Sequence, residues 1–163
     1  MVNGVTFCLW FNRNAKEAVD FYISVFKNAK ILNIDYYTEV GEEITGHKKG
    51  DIVTIEFEIL GTKIIALNAG AEFKFSPAIS LTVECTTQEE IDYYWSKLSV
   101  VPEAEQCGWL QDKYGLSWQI VPKVLTEMLL KGTPNQRKAI TEKYMNMKKF
   151  VINEIEEAYK NSQ

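Results

Sequence analysis

A single histidine, His47, and three cysteines, Cys8, Cys85 and Cys107, are all that this 163-residue sequence offers to imidazole or thiol chemistry. One histidine excludes a His-rich zinc or iron site, because such sites need several imidazole, thiolate or carboxylate ligands converging from different strands. An odd, widely spaced set of cysteines is neither a disulfide framework nor a Cys-x-x-Cys metal knuckle, and implies reduced thiols. No apolar run approaches the roughly 20 residues that a membrane span requires. The apolar start, Val5 to Phe11, is broken by Thr6, has no basic segment ahead of it and is followed by Asn12-Arg13-Asn14, so it does not read as a secretory leader. A cytoplasmic protein is therefore expected. Net charge is −4, and the longest basic run of the C-terminal region, Lys148-Lys149, is offset by Glu154, Glu156 and Glu157. Without a basic face, nucleic acid is not expected as a partner. Dinucleotide-type and Walker-type glycine loops are absent, which argues against nucleotide cofactors and against a methyltransferase with a glycine turn after its first strand.

What is present is a soluble globular composition, 46% hydrophobic and 25% charged, in a chain long enough to bury a core without staples. Val5–Phe11 alternates as a strand. Asn14, with Glu17 at the capping-box position, opens a helix whose stripe is Val19, Tyr22 and Phe26, and Asn28 ends it. Ile31–Thr38 reads as a strand and Gly41–Gly50 as a polar, glycine-bearing loop. Ile52–Leu60 alternates, with Val53, Ile55, Phe57 and Ile59 on one face. Gly61-Thr62 turns the chain into Lys63–Asn68.

The pattern then restarts. Ala78–Cys85 is a strand, and Thr87 with Glu90 caps a helix bearing Ile91, Tyr94, Trp95 and Leu98. Residues near Glu105–Leu110 and Leu116–Val121 read as strands joined by Asp112-Lys113-Tyr114-Gly115. At a spacing of 72 residues, Phe7 meets Ile79, Leu9 meets Leu81, Phe11 meets Val83, and Val19-Asp20-Phe21-Tyr22 meets Ile91-Asp92-Tyr93-Tyr94. Two copies of one strand-helix-strand unit are implied, and neither buries its sheet face alone. They would pack together within one chain or across a dimer. Beyond Pro122, a short helix over Val124–Leu130 and a helix starting at Thr133-Pro134 predict a helical tail. Its stripe runs through Ile140, Tyr144, Met147, Val151, Ile155, Ala158 and Tyr159, and would lie on the sheet or on a partner subunit.

No nucleophile is placed beside His47 by any motif, and a solvated loop histidine is the plain reading. The remaining candidates are large aromatic and polar-tipped residues: Trp10, Asn68, Phe73, Phe75, Gln106, Cys107, Trp109, Asp112, Trp118 and Gln119. Tryptophans and amides on a curved sheet suit an apolar pocket with a few orienting hydrogen bonds, although any one tryptophan serves equally as core. Gln119, in an otherwise apolar strand, must satisfy its amide, which facing a pocket achieves.

Three segments carry a resemblance: Trp10-Phe11-Asn12-Arg13-Asn14-Ala15-Lys16-Glu17-Ala18-Val19-Asp20-Phe21-Tyr22; Ala66-Leu67-Asn68-Ala69-Gly70 with Phe73-Lys74-Phe75-Ser76-Pro77-Ala78; and Gln106-Cys107-Gly108-Trp109 through Trp118-Gln119-Ile120-Val121-Pro122. They resemble the PhnB-like branch of the glyoxalase/bleomycin-resistance/dioxygenase superfamily, a branch often labelled demethylubiquinone methyltransferase. The resemblance implies an α+β, vicinal-oxygen-chelate fold. Two βαβββ modules, at about 4–70 and 77–122 within a domain 1–122, would form a curved mixed sheet, followed by a helical extension, 123–163. It also implies a homodimer. Metal-using relatives place one ligand on the first strand and one on the last strand of each module. Those positions fall at Phe7, at Ala78 or Ile79, at Ile65 or Ala66, and at Gln119, to within one residue of register. Only Gln119 could coordinate, and a lone neutral amide does not hold a divalent ion against water. The expectation is a metal-independent, cofactor-free small-molecule-binding protein, with Gln119, Asn68, Trp10, Gln106, Cys107, Trp109 and Trp118 lining the site. The alternative is an enzyme, a lyase, a transferase or the methyltransferase of the label, using the same pocket with Cys107, Asp112 or His47 as acid, base or nucleophile.

Overall fold

A computed structural model describes residues 4–40 and 42–162. Gly41, the start of the expected polar loop, lies outside the described residues. The chain divides into two compact units, Met1–Lys74 and Phe75–Gln163.

The first unit is β1 (Phe7–Asn12), α1 (Ala15–Val25), β2 (Lys30–Tyr36), a single helical turn α2 (Glu42–Thr45), β3 (Ile52–Ile59) and β4 (Thr62–Ala69). Its sheet order is β1-β4-β3-β2, with β1 parallel to β4 and the other pairs antiparallel. The strand period of two decides which side chains meet α1. Leu9, Phe11, Ile55, Phe57, Ile64 and Ala66 are buried on that face, against Ala15, Ala18, Val19, Tyr22 and Val25 of the helix. Asn28 lies at φ 61, in the left-handed region that asparagine tolerates. The β3–β4 turn is Leu60-Gly61, at φ 48 and 81, one residue ahead of the expected Gly61-Thr62. Positive φ at both positions gives the twist that a two-residue hairpin needs.

The cap of α1 differs from the sequence reading. The Asn14 side chain makes no cap bond. Instead Asn68, reaching from β4, accepts a hydrogen bond from the Ala15 backbone N–H at 3.1 Å and donates to the Ile52 carbonyl at 3.0 Å. A tertiary contact thus serves one of the orphan donors at the helix start.

The second unit is β5 (Ser80–Cys85), α3 (Gln88–Leu98), a 3-10 turn at Pro102–Ala104, β6 (Trp109–Gln111), β7 (Ser117–Pro122), α4 (Lys123–Lys131), α5 (Pro134–Tyr144) and α6 (Ile152–Lys160). Its sheet order, β5-β7-β6, repeats β1-β4-β3. The counterpart of β2 is reduced to an isolated bridge between Gln106 and Trp109, closed by the Cys107-Gly108 turn at φ 50 and 80. The expected strand from Glu105 therefore begins only at Trp109. The repeat otherwise holds: Phe11 and Val83, and Val19 and Ile91, are buried in both copies, while α3 starts at Gln88, one residue beyond the 72-residue spacing. Both capping boxes, Thr87 with Glu90 and Thr133 with Gln136, are formed.

The tail is not one continuous helical stripe. It breaks after Tyr144 and resumes at Ile152. The intervening segment is tied to its own unit: Cys107 N–H donates to Met147 O and Gly108 N–H to Lys148 O, both at 2.8 Å, and Gln88 Nε2 donates to Phe150 O. Phe150 of this segment is buried, as are Ile140 of α5 and Ile155 of α6. No helix among the described residues is long and apolar enough to cross a membrane.

Candidate functional site

Strand parity assigns each candidate to a face. In the second unit, Val83, Cys85, Leu110, Trp118 and Ile120 point into the core with Ile91 and Leu98 of α3. The opposite face is partly exposed: Thr82 is exposed, Ser80, Trp109, Gln111 and Gln119 are half-buried, and Ser117 is buried. On it, the paired residues Trp109, Gln119 and Thr82 form one row across β6, β7 and β5, and Gln111, Ser117 and Ser80 form the next. Directly opposed residues have Cβ atoms about 4.5–5.5 Å apart, so Trp109 and Thr82 flank the Gln119 amide. Gln119 Nε2 donates to Ser80 Oγ at 2.9 Å, and Gln111 Nε2 donates to Gly115 O at 3.0 Å. The amide of Gln119 thus finds a partner on its own sheet. Its oxygen accepts nothing among the described residues.

Gln106, Cys107 and Trp109 come together at the Cys107-Gly108 turn, where with Ala104 they line a hollow of about 350 Å³. Cys107 Sγ lies 3.7 and 3.6 Å from the carbonyls of Tyr144 and Met145, and 4.0 Å from Met145 Sδ. Gly108 is required here, since a Cβ would stand 2.4 Å from the Phe150 ring and 2.9 Å from Ile120 O.

The other candidates lie elsewhere. Trp118 is core, 2% exposed, and its Nε1 donates to Asp112 Oδ2 at 2.8 Å. Asp112, 1% exposed, also accepts from the backbone N–H of Tyr114 and of Leu116, which shapes the β6–β7 loop. In the first unit Trp10 is half-buried on the open face, donates to Gly70 O at 2.9 Å and meets Phe73 edge-on at 4.8 Å. Asn68 is on the helix-facing side, with both ends of its amide engaged as described.

His47 is not a solvated loop residue. It is 3% exposed and stacks on Tyr37 at 4.4 Å, with Nδ1 3.8 Å from Asp51 and Nε2 without a partner. Burial holds the Cys85 thiol up at about 12, aided by Glu90 and Glu84, and raises Cys8 as well.

Thr82, Gln111 and Ser117 belong to this face and escaped the sequence reading, and Ser80 entered it only as the neighbour of Ile79 in the ligand register. Their strand parity against Leu81, Val83, Leu110 and Trp118 was the available signal.

The register puts Cys8 opposite Ile65 on the open face of the first unit, with Phe7 on the helix-facing side, and Ser80 and Thr82 beside Gln119 in the second. Among the described residues no three of His, Cys, Asp and Glu are grouped to hold a metal ion. The donor set does not fit the metal of the metal-using relatives.

Two strand-helix-strand units, each with an open sheet face, define a protein of the vicinal-oxygen-chelate class. Residues 3–121 match the 3-demethylubiquinone-9 3-methyltransferase family, and the chain belongs to that family. A PhnB protein from Bacillus cereus is 34% identical over 74% of this chain and 99% of its own, with a TM-score of 0.60. The fosfomycin resistance protein FosX from Mesorhizobium loti shares the fold at 14% identity, over 80% of this chain and 100% of its own, with a TM-score of 0.52. FosX from Listeria monocytogenes, solved with Mn(II) and sulfate, does so at 15% identity, over 80% and 98%, with a TM-score of 0.51. No curated protein matches the chain.

Proposed function

We propose that this chain is a metal-independent small-molecule-binding protein, whose ligand lies on the open face of the second unit, over Trp109 and against Gln119. The observation that carries the reading is the row Trp109–Gln119–Thr82, an aromatic plate beside an amide whose oxygen is unused. Small-molecule sites combine an apolar or aromatic contact with a small number of placed polar groups that fix orientation, and Trp109 with Gln119 supplies both. The hollow bounded by Gln106, Cys107 and Trp109 extends that surface. Trp10 and Asn68 belong to the first unit, where the Asn68 amide is engaged with Ala15 and Ile52. Metal independence is supported by the donor set: the faces away from the helices carry Cys8 in the first unit and Gln119 with Ser80 in the second, and among the described residues no three of His, Cys, Asp and Glu are grouped to hold a metal ion.

The test is saturation-transfer NMR of a fragment library in the presence of EDTA. Fragments that bind without metal and lose their signal in Gln119→Leu and Trp109→Ala are expected. Binding that requires a divalent ion, or is indifferent to both substitutions, would refute the proposal.

An enzymatic reading is favoured by one observation, that Cys107 lines the same hollow. Loss of a turnover activity on Cys107 alkylation would support it. The family's description names a methyltransferase. Here β1 runs into Asn12-Arg13-Asn14, with no glycine turn to receive an adenosyl cofactor. Calorimetry should accordingly show no S-adenosylmethionine binding at millimolar ligand.

The proposal includes a cytoplasmic homodimer without nucleic-acid or membrane partners. The dimer is supported by the edge positions of β1 and β5 in their sheets and by the exposed side chains of Phe7 and Ile79. Sedimentation at micromolar concentration should give a dimer.

A further inference from the structure

Every polar group in the two rows around Gln119 is uncharged: Ser80 and Thr82 on β5, Gln111 on β6, Ser117 and Gln119 on β7. The one charge on this face is Glu84, a row further along β5 opposite Val121 and exposed to solvent. No lysine or arginine is among the strand residues of this face. Lys148, whose segment is tied to the Cys107-Gly108 turn, is held by Glu105 at 3.3 Å and by Pro102 O at 3.2 Å. An anionic ligand would give up hydration here without a counter-charge, and the desolvation of an unpaired charge is what low-dielectric surfaces resist most. A cation would find only the solvated Glu84.

The Gln119–Ser80 pair adds a directional element. Gln119 Nε2 gives one of its two N–H groups to Ser80 Oγ, which leaves Gln119 Oε1 as an acceptor and the second N–H and the Ser80 hydroxyl hydrogen as donors, side by side. Turning the amide by 180° reverses the bond and preserves the inventory: the NH2 becomes the donor and Ser80 Oγ the acceptor. The pair therefore presents at least one donor and one acceptor in either sense, next to the Trp109 ring.

We propose that this face selects an uncharged, flat molecule whose edge carries a hydrogen-bond donor and an acceptor on neighbouring atoms, as in an amide or a lactam. The inference rests on the binding site assigned above and sharpens it to a ligand class. It is tested on the wild-type protein with compounds of one shape: 2-naphthamide, 2-naphthoate, 2-naphthylmethylammonium and 2-methylnaphthalene, titrated by tryptophan fluorescence and calorimetry in EDTA. The amide is expected to bind about tenfold or more tighter than the other three, the worth of two modest hydrogen bonds. Gln119→Leu should bring it down to the level of 2-methylnaphthalene. Equal or tighter binding of the carboxylate or the ammonium compound overturns the uncharged class and leaves the site standing. Equal binding of 2-methylnaphthalene overturns the donor–acceptor edge. Failure of all four to bind, or indifference of the amide to Gln119→Leu, overturns the site and the class together.

Discussion

Replacing Asn68 with alanine separates a residue that holds the fold from one that holds a ligand. The carboxamide makes two bonds, accepting from the Ala15 N–H at 3.1 Å and donating to the Ile52 carbonyl at 3.0 Å. Ala15 is fully buried, so its amide would have no replacement partner in water. Each lost bond contributes about 0.5–1.5 kcal/mol, and a buried donor left unsatisfied costs about 1–3 kcal/mol. Asn68→Ala should therefore destabilise the protein by about 2–4 kcal/mol. Asn68→Asp keeps the acceptor at the positive end of α1 and loses only the donor, so it should cost roughly half as much. Urea unfolding followed by tryptophan fluorescence measures both, and amide hydrogen exchange locates the loss at the first turn of α1. A change below about 0.5 kcal/mol for Asn68→Ala, together with weakened ligand binding, would refute the structural assignment and return Asn68 to the ligand site.

His47→Phe should raise stability by about 1 kcal/mol, because phenylalanine keeps the stack on Tyr37 and removes the unpartnered buried Nε2; a fall in melting temperature would mean that Nε2 has a partner. Gly108→Ala should cost about 2–4 kcal/mol, from a left-handed φ of 80 and the clash with Phe150 and Ile120 O, and should speed exchange of the Gly108 amide that is bonded to Lys148 O; near-wild-type stability would contradict it. Cys85 should resist iodoacetamide in the folded protein, with its thiol held up at about 12 by burial. Because its folded value lies above its unfolded one, the folded state holds the extra proton, and this contribution to stability is complete below about pH 8.5 and is lost as pH rises from there towards 12. Cys85→Ala should flatten the alkaline limb of a stability profile, and an unchanged limb would count against the assignment.

Much of the fold was legible because it rests on local periodicity. Leu9 and Phe11, Ile55 and Phe57, and the stripe through Val19 and Tyr22 are buried as their spacing requires. Thr87-Glu90 and Thr133-Pro134 announced their helices through capping chemistry, which is contained within four residues. The failures are non-local. Asn14 has the composition of a cap, yet the bond to α1 comes from Asn68, 53 positions away. Residues 105–108 have strand-like neighbours, but the Cys107-Gly108 backbone is claimed by Met147 and Lys148 of the tail. His47 looked solvated because no sequence pattern reveals that Tyr37 will cover it. Gln119 is conspicuous as an amide in an apolar strand, whereas its hydrogen-bond partner Ser80 is an ordinary residue in an ordinary strand.

The central claim, a binding face that works without a metal, is met most directly by native mass spectrometry of protein purified without chelators. The expected spectrum shows no stoichiometric divalent ion, and any small organic adduct on the wild-type chain is lost in Gln119→Leu. One divalent metal per chain, retained through buffer exchange and lost on Gln119→Leu, would contradict the account.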